Sequence, residues 1–234
     1  MQPTFLPWLG YFKMMQLADR FIFLDDVQIS PKSFQVRNRI PNFNGHPRWI
    51  GVKVDNSREL KERKLNSTKL LDPETTFSAI EENLRNYYSV SDELESFVAF
   101  FKMSISSPIA LGQLNMKLIL YIANKLGIAD RTLLASDFSR EHTGSTGIVD
   151  LLEQIGATEY LVAPGSLTYM ATEDIWRTRS FLLTQFEFIQ SPYYQSHLSE
   201  FMPFMSALDC LLELGGEKAR RHFQESGYKA LAIN

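Results

Sequence analysis

Two adjacent carboxylates, Asp25 and Asp26, are the side chains in this sequence that best suit acid–base chemistry. They follow an apolar run at residues 21–24. A carboxylate pair can hold a cation, accept hydrogen bonds from an amine or a ribose, or act as a general base. An Asx cap of the following turn explains the same residues equally well. Because successive strand residues point to opposite faces, we expect only one of the two to face a ligand.

A basic segment, residues 30–40 (SPKSFQVRNRI), follows the carboxylates. The candidate binding residues of this region are Gln28, Lys32, Arg37, Asn38 and Arg39. In an extended chain Arg37 and Arg39 share one face. Two guanidinium groups on one face suit a diphosphate, because each can bind phosphate oxygens bidentately. A solvated basic loop is the alternative, and the nearby carboxylate pair favours a binding site.

The first residues of the chain form a loop that leads into a helix. Residues 2–12 read QPTFLPWLGYF, and two prolines prevent a continuous helix there. A helix that begins after Pro7 offers unpaired N–H groups to a phosphate or a carboxylate. Gly10 would let a ligand approach the backbone closely. Gln2 and Trp8 are candidate ligand contacts, with burial in the core as the alternative.

The elements that must position these residues follow an alternating pattern. Short apolar runs at residues 21–24, 132–135, 160–163 and 182–188 predict strands. Segments whose apolar residues have helical spacing lie between the later strands. This order predicts an α/β fold with a parallel, Rossmann-like sheet and helices on both faces. Neighbouring parallel strands are expected at the first three runs. Ligands bind beyond the carboxyl ends of such strands, where Asp25, Asp26 and Ser166 would then lie.

We expect one domain over residues 1–234, with a mainly helical insertion at about residues 60–110. A helix starting at Ser145 and a last helix over residues 204–214 complete the predicted elements. Cys210, the single cysteine, lies in an apolar stretch and is expected in the core. One cysteine cannot form an internal disulfide.

Composition excludes several classes of protein. Hydrophobic residues make up 44% and charged residues 22% of the chain, as in globular proteins. A net charge of -3 argues against nucleic acid as a partner, whereas a local basic cluster can still bind a small anion. No histidine pair has metal-ligand spacing, so no metal site is expected. Without an apolar run of 18 residues or a leader sequence, we expect no membrane span and a cytoplasmic location.

Three segments, QPTFLPWLGYF, ADRFIFLDDVQ and SFQVRNRI, resemble in order the opening of the WbqC-like family. Later segments such as GATEYLVAPGSLTYM agree with it and add Ser166 and Tyr169 to the candidate binding residues. The resemblance covers nearly the whole chain. Members of this family usually have an apolar strand before the Gln-Pro pair, whereas Met1 stands directly before it here, so we expect such a strand before Met1 in the native protein.

The resemblance implies an acyl or aminoacyl transferase or ligase, with glycyl transfer as one form. The implied substrates are a nucleotide-linked amino sugar of bacterial surface polysaccharide, O-antigen of lipopolysaccharide in particular, and an acyl donor. Arg37 and Arg39 would hold phosphate, and Asp25 or Asp26 would orient or deprotonate the attacking amine.

A more distant likeness connects the chain to nucleotide-activating ligases such as pantothenate synthetase. It supports the fold and makes ATP the candidate cofactor, although LPWLGYF stands where those enzymes have His-x-Gly-His. Two alternatives therefore remain. One is a non-catalytic protein that binds a sugar nucleotide or a partner enzyme, and the other is a nucleotidyl-transfer enzyme. The acyl donor, the sugar and the oligomeric state stay open.

Overall fold

A computed structural model describes residues 1–105, 108–170, 172–177 and 180–233. The helices are α1 (Leu9–Leu17), α2 (Pro73–Tyr87), α3 (Asp92–Ile105), α4 (Leu111–Lys125), α5 (Gly144–Gln154), α6 (Leu167–Met170), α7 (Ala207–Leu214) and α8 (Gly216–Glu225). The strands are β1 (Phe21–Phe23), β2 (Arg37–Ile40), β3 (Arg48–Gly51), β4 (Lys53–Val54), β5 (Leu70–Leu71), β6 (Thr132–Leu134), β7 (Glu159–Val162), β8 (Leu182–Ile189) and β9 (Gly227–Ile233).

The strands form several small sheets. β1 and β6 pair in parallel, as predicted from their apolar runs. β7 pairs in parallel with β8, and β8 pairs antiparallel with β9. β2 and β3 form an antiparallel hairpin, and β4 pairs with β5. The chain is thus a mixed α/β protein.

The predicted continuous Rossmann-like sheet is not confirmed, because β7 is not hydrogen-bonded to β1 or β6 in the described part of the chain. The free edge of β1 is occupied instead. The amino group of Met1 donates to Ile22 O at 2.6 Å, and Leu24 N donates to Met1 O at 2.8 Å. These two bonds form a parallel bridge on the edge of β1 opposite to β6. That an apolar strand lies before Met1 in the native protein stays a prediction.

Several boundaries differ from those expected. α5 begins at Gly144, with Thr143 rather than Ser145 at the N-cap position. α7 begins at Ala207 rather than at residue 204, because the Ser206 hydroxyl accepts the Leu208 N–H at 3.2 Å and caps the helix there. A polar helix around His222 is present as α8, which follows Gly215, a residue with φ of +78°, whereas the sequence pattern missed β9.

One apolar core unites most of the chain. It contains Phe12 of α1, Phe97 of α3, Leu118 of α4 and Leu211 of α7. The proposed insertion therefore shares its apolar side chains with the rest of the fold, and it includes β5 as well as helices. Cys210 is buried in the same core, as expected. Among the described residues, no helix is long and apolar enough to cross a membrane.

Candidate functional site

Buried side-chain amides hold the loop that precedes α1. Asn38 donates from Nδ2 to Phe5 O at 3.1 Å and to Leu6 O at 2.8 Å. Leu6 has φ of +45°, a strained value for a branched residue, so this loop needs external support. Asn38 is itself buried. Its position therefore makes it a residue that shapes the loop, because both donated bonds end on backbone carbonyls.

The side-chain amide of Gln35 joins Gln2 to the segment after β1. Gln35 donates from Nε2 to Gln2 Oε1 at 2.8 Å and to Gln28 O at 3.3 Å, and it accepts the Ser30 N–H at 2.6 Å. Asn115 of α4 donates to Pro3 O at 2.9 Å. The structure thus brings Gln2 and Gln28 together. The sequence pattern missed Asn115, whose only signal was a polar residue among the apolar positions of a helix.

The Trp8 ring occupies the space that is left free because Gly10 has no side chain. A Cβ on Gly10 would lie 2.4 Å from a ring carbon of Trp8. The Trp8 ring also makes edge contacts with Phe188 at 5.6 Å and Phe204 at 5.4 Å between ring centres. Gly10 therefore admits the indole of Trp8, rather than leaving open space for a ligand.

The two carboxylates lie at the carboxyl end of β1, and both have partners in the loop after β6. Asp25 is buried and accepts the Ser136 N–H at 3.0 Å and the Ser136 hydroxyl at 2.7 Å. Asp26 pairs through Oδ2 with the guanidinium of Arg140. Its Oδ1 is buried without a hydrogen-bond partner in the described structure. Asp25 thus joins the ends of the two parallel strands, and Asp26 is held in an ion pair.

Arg37 and Arg39 lie on one face of β2, as predicted, while the alternate residues Asn38 and Ile40 are buried. Trp49 of β3 is paired directly with Arg39. The centre of the Trp49 ring is 4.3 Å from the guanidinium carbon of Arg37 and 5.7 Å from that of Arg39. Phe34 lies 5.8 Å from Trp49 between ring centres. We call Phe34, Arg37, Arg39 and Trp49 the arginine–tryptophan platform.

The platform is exposed and positively charged. Phe34 is 47% and Trp49 45% exposed, which is unusual for large aromatic side chains. Residues 27–54 contain no Asp or Glu, although the whole chain has a net charge of -3. The basic residues of this stretch are Lys32, Arg37, Arg39, Arg48 and Lys53. Within the described ranges, Arg37 and Arg39 form no ion pair, so their charge is available to an anionic ligand.

Hydrogen bonds fix the orientation of both platform arginines. Arg37 donates from Nε to Lys32 O at 3.1 Å, and Lys32 has φ of +63°. Arg39 donates from Nη2 to Phe204 O at 3.3 Å. The Nε of Arg39 is buried and lacks a partner among the described residues. The guanidinium groups are thus positioned while part of their donor capacity remains unused.

The remaining candidates lie elsewhere. Ser166 lies in the turn after β7, and its N–H donates to Ala163 O at 2.9 Å. The side chain of Tyr169 lies outside the described structure. A surface depression lined by Arg20, Arg131 and Phe138 lies at the amino ends of β1 and β6, opposite to the edge where ligands bind in parallel sheets. Sequence reasoning also missed a pair formed by His142 and Asp150.

The small parallel sheets, the flanking helices and the carboxylates at the strand ends define a mixed α/β protein with a polar carboxyl-end surface. The model of the WbqC-like protein family matches residues 2–221, so the chain belongs to that family. The chain is also similar to the uncharacterized protein Rv1507c of Mycobacterium tuberculosis (strain H37Rv). The two are 28% identical over 219 residues, which cover 92% of this chain and 93% of the relative. No solved structure matches the chain.

Proposed function

We propose that the chain is an acyl or aminoacyl transferase that modifies the amine of a nucleotide-linked sugar. The arginine–tryptophan platform is the observation that carries this proposal. Two arginines without acidic partners flank an exposed indole, and these groups match the parts of a nucleotide diphosphate sugar. We place this activity in the cytoplasm and in the synthesis of bacterial surface polysaccharide, such as O-antigen, as the family resemblance implies. Glycyl transfer is one form that the family resemblance implies.

Each platform residue has a distinct role in this proposal. The guanidinium groups of Arg37 and Arg39 bind the diphosphate, because their planar donors fit phosphate oxygens. Trp49 and Phe34 stack against the base or the apolar face of the sugar. Gln2 and Gln28, joined through Gln35, contribute polar atoms beside the carboxyl end of β1. ATP is the candidate cofactor if the acyl donor is activated as an adenylate.

A non-catalytic protein that binds a sugar nucleotide is the second candidate function. The state of the two carboxylates favours it, since Asp25 has both oxygens bonded to Ser136 and Asp26 is paired with Arg140. The unbonded Oδ1 of Asp26 is buried, so neither carboxylate offers an exposed unbonded oxygen to a substrate amine. Product formation distinguishes the two candidates, because a binding protein shows affinity without turnover.

Calorimetric titration with a UDP-linked amino sugar tests the role of the platform. We expect the double variant Arg37→Ala/Arg39→Ala to bind more than tenfold more weakly, which corresponds to about 1.4 kcal/mol. The matched control is Arg177→Ala/Arg221→Ala, which removes the same charge from two exposed arginines in short-range ion pairs. Equal affinity of the two double variants would contradict the proposal.

A further inference from the structure

The loop between β6 and α5 is held against the end of β1. Asp25 binds Ser136 in this loop, and Asp26 pairs with Arg140. His142 follows two residues later. A Cβ on Gly147 would lie 2.4 Å from His142 O and 3.9 Å from Arg140 Nη1, so the loop lies directly on the first turns of α5. His142 thus lies two residues after Arg140, the residue that pairs with Asp26 at the carboxyl end of β1, where parallel strands present ligand sites.

His142 has a carboxylate partner in a defined geometry. Its Nδ1 lies 2.8 Å from Oδ2 of Asp150, a residue of α5. The side chain of His142 is 56% exposed, and that of Asp150 is 30% exposed. A carboxylate accepts a hydrogen, so this contact fixes the proton of the neutral ring on Nδ1. The lone pair of the ring then lies on Nε2.

The other histidines have different surroundings. The His197 ring lies 4.7 Å from that of Phe43 and 5.5 Å from that of Tyr87. Burial lowers the pKa of His222, whose ring contacts Tyr193. Within the part of the chain that the structure describes, His142 is the histidine that pairs with a carboxylate. An exposed pair of this kind contributes little to folding stability, so stability alone does not explain it.

We infer that His142 is the proton acceptor of the transfer reaction and that Asp150 is the residue that positions it. The inference rests on the proposed function for the identity of the reaction. It supplies a base where Asp25, with both oxygens bonded to Ser136, and Asp26, paired with Arg140 and with its Oδ1 buried, do not offer one. A histidine oriented by a carboxylate is a common solution for general-base catalysis near neutral pH.

The step balances as follows. Nε2 of His142 takes one proton from the sugar ammonium, and the neutral amine attacks the acyl carbonyl carbon of the donor. A C–N bond forms, and the bond from that carbon to the leaving group breaks with its electron pair on the leaving group. The imidazolium gives its proton to the leaving group, and the new amide nitrogen releases its second proton to water.

Steady-state kinetics of three variants test the role of His142. The probes are a UDP-linked amino sugar with glycine and ATP in one arm, and with a glycyl thioester in the other. His142→Gln should lower kcat by about 10²- to 10⁴-fold with little change in KM. Arg37→Ala/Arg39→Ala should instead raise KM. His46→Gln, an exposed histidine in the β2–β3 turn, is the matched control and should keep wild-type turnover.

Two further measurements separate catalysis from a merely structural role. Added imidazole should restore part of the turnover of His142→Gly, because the missing base is supplied in solution. Nitrogen-15 spectra of the imidazole rings should show the Nδ1–H tautomer of His142 in the wild type and its loss in Asp150→Asn. Melting temperatures of all variants exclude unfolding as the cause.

The possible failures are distinguishable. If the wild type forms an amide and His142→Gln forms it at the same rate, the role of His142 is wrong and the proposed function stands. If His142 has the Nε2–H tautomer, the assigned geometry is wrong. If the wild type forms no amide in either arm, the proposed function is contradicted, and the role of His142 in that reaction is contradicted with it.

Discussion

A buried carboxylate outside the proposed site predicts a measurable pH dependence of folding. Asp209 of α7 is fully buried and accepts three hydrogen bonds. They come from the hydroxyl of Tyr88 at 2.7 Å, the hydroxyl of Tyr193 at 2.6 Å and the amide of Gln195 at 2.8 Å. Burial raises the pKa of Asp209 from 3.8 to about 6, although the three hydrogen bonds act in the opposite direction.

The direction and size of the effect follow from linkage. Between pH 3.8 and about 6 the folded protein binds more protons at Asp209 than the unfolded chain does. The free energy of unfolding therefore falls as the pH rises through this window. The shift of about two pKa units corresponds to about 3 kcal/mol. Asp209→Asn keeps the shape of the side chain and one acceptor but cannot titrate.

Urea unfolding of both proteins at pH 4 and pH 7 measures the effect. We expect the wild type to lose about 2.4 kcal/mol more than Asp209→Asn between these pH values, because only the wild type ionises a buried group; the full effect is not reached, since the unfolded carboxyl group is already more than half ionised at pH 4. The difference between the two proteins removes the contributions of other titrating groups. Parallel pH profiles for wild type and variant would show that Asp209 does not change protonation state in this range, which would refute the reasoning.

Three further predictions concern residues around the proposed site. Asp25→Ala should destabilise the fold by about 1–3 kcal/mol in urea unfolding, since it removes the buried carboxylate that accepts the Ser136 N–H and hydroxyl, whereas Asp25→Asn should cost clearly less; equal losses would contradict this. Gly10→Ala should cost about 1–3 kcal/mol because its Cβ displaces the Trp8 ring, while Gly165→Ala, which meets no atom within 4 Å, should be nearly neutral in the same assay. Trp49→Ala should weaken nucleotide-sugar binding by about 1 kcal/mol in calorimetry, and unchanged affinity would remove Trp49 from the platform.

The local features of this fold could be predicted because they rest on local patterns. Pro7 sets the start of α1, and the apolar runs mark β1, β6 and β8. The alternation of Arg37, Asn38 and Arg39 places both arginines on one face, since a strand repeats every two residues. These elements need only neighbouring residues for their prediction.

The long-range features could not be predicted. β7 pairs with β8 and not with β1, and an apolar run by itself does not encode which strand it will pair with. Trp49 joins the arginines only because the hairpin register pairs it with Arg39. His142 and Asp150 meet across eight residues, through a loop whose path the Asp26–Arg140 pair directs.

Mass spectrometry of the wild-type reaction tests the central claim most directly. The chain is incubated with a UDP-linked amino sugar, glycine and ATP, or with a glycyl thioester in place of glycine and ATP. We expect a new amide on the amino group of the sugar. At saturating donor, the KM for the nucleotide sugar should rise more than tenfold in Arg37→Ala/Arg39→Ala, which corresponds to about 1.4 kcal/mol. Binding of the nucleotide sugar without any amide product would contradict the transferase and leave a sugar-nucleotide binding protein.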